Sequence, residues 1–433
     1  MKRHLINAKT LTKGMLCSLL LLAQTGFSQS IPDTVSEKVT TLSDRLDGIG
    51  ERLSTAEGDL AKLTRIKISG YIQGQWEWSQ DRSVYPSNSF SVRRARVKIQ
   101  YEPVTGVAFV VQPDFLASGV TMKDAYVQVN EPWLKTFSLW VGQFNRPNYE
   151  VEYSSGQREV PERSRVVKAL YPGERAIGLK LEAAPGALPL KFQLAVLNGN
   201  DNLVIKDAAG TDINVKNKDF DNFKDLMGRL TYQLKLGSFG SLDLGANGYL
   251  GFLKATNDTV LDSKYQVDRT IAIGKPLHRN WFGAELRFYA DVLGGLALKS
   301  EFMMGQNASA SIPNIEREFM GYYVYLIKNA GRRNQFALRW DYYDPNTKLG
   351  GKEIGSSTGT YKSGLDDLAY SDLTVAWNYY FSDNIRFQLA YDYPINEKAD
   401  ISKSYTVNGE KVINDYNEVF PQSTVTARVQ VKF

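Results

Sequence analysis

The sequence predicts an all-β chain: a transmembrane β-barrel of about sixteen antiparallel strands, preceded by an α-helical coiled-coil segment. Three observations carry this. Apolar and polar residues alternate with a period of two from Ile66 to Phe433. The links between the alternating segments are short and long in turn. Before Ile66 the apolar period is that of a coiled coil, and it ends there.

Residues 1–28 read as a signal peptide. Lys2, Arg3, Lys9 and Lys13 precede "MLCSLLLLA" (15–23), and "QTGFSQS" then offers Gly26 and Ser28 as the small residues of a cleavage site after Ser28. The apolar run is too short to cross a bilayer as a helix. Leu16 stands where a lipoprotein signal needs a small residue before Cys17, so lipidation is not expected. Cys17 is the single cysteine, so the mature chain has no disulfide and no thiolate ligand. Four of the 52 basic residues leave with the signal, and the remaining 48 face 47 acidic ones. That balance gives no reason to expect nucleic-acid binding.

Residues 29–65 form the next element. Val35, Val39, Leu42, Leu46, Ile49, Leu53, Ala56, Leu60 and Leu63 are spaced four and three apart, the seam of a coiled coil. One amphipathic helix lying on a domain is the plainer reading, but the strict period favours association of identical helices. Leu at the a positions with Ile49 at d favours three strands. Gly48, Gly50 and Gly58 weaken the isolated helix, so its stability should depend on that association.

Residues 66–433 form the barrel. In "IKISGYIQGQWEW" (66–78) Ile66, Ile68, Gly70, Ile72, Gly74, Trp76 and Trp78 alternate with Lys67, Ser69, Tyr71, Gln73, Gln75 and Glu77. The apolar set is expected to face lipid, and Lys67, Gln73, Gln75 and Glu77 water inside the barrel. "FSVRRARVKIQY", "MGRLTYQLKL", "WFGAELRFYA", "QFALRWDYY" and "VTARVQVKF" alternate likewise. Short links fall at 102–106, 131–136, 183–189, 237–240, 291–295, 328–334 and 382–384, and long ones near 79–89, 115–121, 144–175, 198–224, 254–279, 305–317, 344–371 and 394–422. A soluble sandwich also alternates, but has no reason to segregate its long loops to one rim. Trp76, Trp78, Tyr101, Trp281, Trp340, Tyr342, Trp377, Tyr379, Phe381, Tyr391 and Tyr393 are expected near strand ends, at the membrane interfaces. A sheet spans hydrocarbon only when closed, so the last strand must pair with the first. Phe433 resembles the terminal aromatic by which the barrel assembly machinery reads outer-membrane proteins.

The ordered set "RRARVKI" (93–99), "VQPDF" (111–115), "KDAYVQV" (123–129), "VGQFNRP" (141–147), "PERS" (161–164) and "ERAIGL" (174–179) resembles the phosphate-selective porin O/P family. The resemblance implies a homotrimer of sixteen-stranded barrels in the bacterial outer membrane, each with its own pore. It covers the first quarter of the barrel; beyond residue 180 only the rhythm of strands and loops continues.

Selectivity in such a pore comes from its width and its lining charges. With Ala95, Val97, Ile99 and Tyr101 outward, Arg94, Arg96 and Lys98 form a lumenal ladder able to hold oxyanions by paired hydrogen bonds. The same residues could instead pair with carboxylates such as Asp124. The segment 144–175 resembles a third loop folded into a porin lumen. Arg146, Arg158, Arg163, Arg165, Lys168 and Arg175 stand there against Glu150, Glu152, Glu159, Glu162 and Glu174. Six against five suits a loop pinned by ion pairs, with a few arginines left to line the eyelet and a mild anion preference.

The expected function is passive diffusion of small hydrophilic solutes, preferentially anions such as phosphate. The alternative is a structural or adhesive barrel tethered through its coiled coil. An enzyme is not expected: His4 belongs to the signal, and His278 falls in an expected loop with no serine motif beside it. No cofactor or metal site is expected; "DAAGTDINVKNKDFD" (207–221) lacks the spacing of a calcium loop.

Overall fold

The structure, a computed structural model, describes residues 64–433 apart from 117, 148–150, 153, 173, 187, 200–203, 207–211, 215–218, 220, 293, 310–312 and 356–359. Before residue 64 it describes only Ile49, Arg52 and Leu53, which are helical. The expected signal peptide and the rest of the heptad segment lie outside the described residues. The chain divides into two units, Met1–Thr64 and Arg65–Phe433.

Sixteen strands of the second unit form the barrel wall. They are β1 (Ile66–Ser79), β2 (Asn88–Val104), β3 (Val107–Leu116), β4 (Gly119–Asn130), β5 (Phe137–Asn145), β6 (Arg175–Ala183), β7 (Leu190–Leu197) and β8 (Asp225–Lys235). Then follow β9 (Gly240–Lys254), β10 (Pro276–Ala290), β11 (Leu296–Ser309), β12 (Asn314–Ala330), β13 (Asn334–Asp344), β14 (Tyr370–Tyr380), β15 (Ile385–Asn396) and β16 (Thr424–Lys432). Each pairs antiparallel with its neighbours in the chain, and β16 returns to β1 with Val431 opposite Ile72 and Val425 opposite Trp78. The sheet has no free edge, as hydrocarbon requires.

The alternation fixes the two faces. Ile68 and Ile72 are 61% and 54% exposed on the outside, whereas Gln73 between β2 and β16 is completely enclosed. Apolar side chains thus face outward, and the polar set faces in. Gln73 and Gln75 were expected to meet water; instead they lie beneath a loop that fills this part of the lumen, hydrogen-bonded to Ser155, Gln430 and Arg428.

The seven short links stand where expected, on one rim. Two of the eight expected long loops are corrected. β3 ends at Leu116 and β4 starts at Gly119, whose φ of 115° permits a tight reversal. β11 and β12 keep pairing through Asn307 opposite Arg317 and Ala308 opposite Glu316, so polar residues extend the ladder where a loop was expected. His278 likewise sits on β10, not in a loop, with its Nδ1 3.3 Å from the Glu316 carboxylate.

Trp281 needs a further correction. Phe282 takes the outer position at 57% exposure, so Trp281 turns inward and is buried. Inside, it stacks on Tyr249 at 4.0 Å and 5°. These rings belong to an apolar cluster within the barrel that includes Phe144, Val166, Val167, Leu170, Tyr171, Met303 and Phe319.

Candidate functional site in the barrel lumen

The lumen is built on a β-bulge. Gln73 pairs with Arg94, but Gly74 pairs with Val92, leaving Arg93 as the extra residue of β2. The bulge brings Arg93 inward beside Arg94, Arg96 and Lys98. Arg93 donates to both oxygens of Glu162, from Nε at 3.1 Å and Nη2 at 3.0 Å. Arg96 donates to Asp114 at 2.7 Å, with both side chains buried. Among the described residues Arg94 and Lys98 have no carboxylate within ion-pair distance; Arg94 donates only to Gln73, at 3.2 Å.

A second bulge in β4 repeats the device. Asp124 pairs with Gln112 and Met122 with Pro113, which leaves Lys123 beside Asp124. Asp124 accepts from Arg175 at 2.9 Å.

The segment 146–174 crosses the lumen. Its middle is fixed to the four strands around the β1–β16 seam. Ser155 Oγ shares a 2.5 Å hydrogen bond with the Tyr71 hydroxyl, and its carbonyl accepts from Gln73. The carbonyl of Gly156 accepts from Gln430, and that of Arg158 from Arg386. Arg428 donates to the Pro161 carbonyl and to Glu162, each at 2.9 Å. Across the barrel, Glu159 pairs with Lys299 at 2.6 Å, while its carbonyl accepts from Asn378 and Gln388.

Glu152 organises the loop from within. It accepts from the backbone and hydroxyl of Ser164, from the Tyr325 hydroxyl and from Arg339 on β13. The short helix α1 (Arg165–Leu170) follows at once. Val166, Val167 and Leu170 join the apolar cluster, and Trp281 donates to the Tyr171 hydroxyl at 2.8 Å. One side of the loop is therefore held by hydrocarbon, the other by charge.

The electrostatics follow from this enclosure. Burial would raise the Glu162 carboxyl, yet the hydrogen bond from Arg93 and the charges of Arg158, Arg93 and Arg428 hold it well below the usual carboxylate range. Glu174 is also raised by burial and drawn far lower by Arg163, Arg175, Arg96 and Lys123. Burial, then the charge of Arg163, push the Arg158 guanidinium down to about 10, so it stays charged at neutral pH.

The residues singled out from the sequence divide into groups. Arg94, Arg96 and Lys98 share the inner face of β2, with Arg94 and Arg96 each 4% exposed. Arg163 and Arg175 both pair with Glu174. Arg146 and Arg158 are enclosed, and each has two guanidinium nitrogens without a hydrogen-bond partner. Arg165 pairs with Asp372 at 2.7 Å and lies 3.9 Å over the Tyr370 ring. Phe433 exchanges backbone hydrogen bonds with Gly70. Glu150 lies outside the described residues.

Sequence reasoning missed Arg93, Arg339, Arg386 and Arg428. The signal for Arg93 was present: Phe90 and Val92 are apolar at even positions, Ala95 and Val97 at odd ones, and such a change of parity requires a bulge. The other three are single cations on alternating strands, with nothing local to mark which would meet the loop.

Residues 66–280 match the family model described as phosphate-selective porin O and P. Among curated proteins no sequence match was found. Solved structures of similar fold include an anion-selective porin from Comamonas acidovorans, with a TM-score of 0.53, 10% identity, and coverage of 85% of this chain and 99% of that one. The outer-membrane channel DcaP of Acinetobacter baumannii gives 0.52 and 11%, covering 85% and 97%. In vitro folded OmpT of Vibrio cholerae, in its trimer form, gives 0.50 and 10%, covering 85% and 99%.

Proposed function

Over residues 66–280 the chain belongs to the phosphate-selective porin O and P family, and on that premise we propose a water-filled outer-membrane channel. Small hydrophilic solutes diffuse through it passively, with a preference for anions such as phosphate. The observation that carries this reading is the cationic face of β2, where the bulge sets Arg93, Arg94, Arg96 and Lys98 along the lumen and only Arg93 and Arg96 have carboxylate partners. The family and the fold point to a channel and not to an enzyme.

In this reading Arg94 and Lys98 supply the positive potential along the wall. Arg96, Arg146, Arg158, Arg163 and Arg175 hold the loop that narrows the passage, and Arg165 stands at its mouth. Residues 1–28 direct export, residues 29–65 join three copies through a periplasmic coiled coil, and Phe433 serves recognition by the barrel assembly machinery. These assignments rest on the sequence patterns described above.

Single-channel conductance in a planar bilayer tests the proposal, with reversal potential under a KCl gradient and then with phosphate added. Anion-selective steps in threes, with chloride current reduced by phosphate, are expected. Steps without selectivity would overturn the anion preference, and no conductance would favour the structural or adhesive barrel.

A further inference from the structure

The loop leaves two cavities on the side of the long loops, about 300 Å³ and about 510 Å³ in volume. Arg165, Lys168 and Asp392 line both. Lys168 projects from α1 into solvent, and no carboxylate pairs with it among the described residues. Arg165 engages Asp372 through Nε alone, leaving the outer edge of its guanidinium to the cavities. Glu162 also lines the smaller cavity from the loop but is held by Arg93 and Arg428, so the groups that the loop leaves open to this space are cationic.

The wall opposite offers mostly carboxylates, its own Arg339 and Arg317 being held by Asp341 and Asp367. Glu77 and Asp81 line the smaller cavity beside Asp392, and Asp366 lines the larger one. Asp392 accepts from the Thr374 hydroxyl and is 3.6 Å from Arg339, which lies closer to Asp341 at 3.0 Å. Asp366 is exposed. A simple anion satisfies the loop and is repelled by the wall; a simple cation does the reverse. Only a solute with both charges satisfies both sides.

We propose that this vestibule is a capture site for zwitterionic solutes of amino-acid or short-peptide size. The solute carboxylate meets Lys168 and Arg165, and its ammonium group meets Asp392, with Glu77 or Asp366 as second acceptor. The proposal rests on the channel reading and adds to it a solute class that the anion preference of the β2 face does not name.

The test uses three probes of nearly equal size: triglycine, N-acetyl-triglycine, which is only an anion, and triglycine amide, which is only a cation. Each is added to the full-length channel conducting KCl. Triglycine is expected to reduce the current at about tenfold lower concentration than either analogue, one charge-assisted contact being worth about that factor. Lys168→Gln should abolish the advantage of triglycine over the amide. Asp392→Asn should abolish its advantage over the acetylated peptide, and Asp366→Asn, at an exposed position, repeats that arm if the first variant does not assemble. Equal block by all three probes, or block by N-acetyl-triglycine as strong as by triglycine, would overturn the proposal. The KCl current without peptide reports on the channel reading by itself; if there is none, calorimetry of the same probes on detergent-solubilised protein decides the site.

Discussion

The ring of Phe433 lies over Gly70, so that a β-carbon on that glycine would stand 2.7 Å from Cζ of the phenyl group. Gly70 and Phe433 also exchange backbone hydrogen bonds at 3.1 Å and 3.0 Å, which complete the β1–β16 seam. Gly70→Ala should therefore weaken closure by about 1–3 kcal/mol, the usual cost of overpacking. The expected outcome is a lower temperature at which the folded band converts to the unfolded one in semi-native electrophoresis. Phe433→Ala in the same background should recover part of the loss, although Arg96 still crowds the position from its backbone oxygen.

Arg94 and Arg96 are neighbours on one face, but their removal should have different consequences. Arg94→Gln with Lys98→Gln is expected to shift the reversal potential toward zero while assembly continues, since neither residue holds a carboxylate. Arg96→Gln leaves Asp114 buried and unpaired, a loss of about 3–5 kcal/mol. The yield of folded barrel should fall in that variant and recover in the Arg96→Gln, Asp114→Asn pair.

Glu162 and Glu174 give the loop a defined response to acid. Both have folded values below the ordinary carboxylate value of 4.5, so the stability they contribute is fully present above it. It is lost only as pH falls through their lower folded values. The part of the acid response that these two carry should therefore develop only below about pH 4.5, read as the difference in conductance between the wild type and Glu162→Gln. A difference that changes between pH 5 and pH 7 would mean that this carboxylate is not one of the groups pinning the loop.

Trp281 tests the apolar side of the same loop. Trp281→Ala removes the stack on Tyr249 and the hydrogen bond to Tyr171, at a cost of about 3–5 kcal/mol. The polar anchors on β1, β2, β15 and β16 remain. Noisier single-channel current with an intact barrel is the expected result; unchanged noise would show that hydrocarbon packing does not hold α1.

The wall of this barrel was legible because a period of two, short turns on one rim and a closing strand are all local or additive signals. Ile66 to Trp78 alone specified which face would be outside. The misread parts share one cause, which is that alternation states parity and not position. Trp281 has the same parity signal as any lumenal residue once Phe282 is assigned outward, yet its aromatic character suggested an interface. Arg93 was hidden by one inserted residue. In the loop, the near balance of Arg and Glu pointed to ion pairing, but the choice of partners did not follow from it. Glu162 finds Arg93 and Arg428 from strands that are far apart in sequence, and only ring closure makes them neighbours.

Residues 155–162 are bonded to β15, β16, β1 and β2, the four strands flanking the place where the ends of the barrel meet. The loop thus acts as an internal clasp across the join, and half of its anchor points do not exist until the last hairpin has arrived. The full set of contacts that fills this part of the interior therefore exists only in the closed ring.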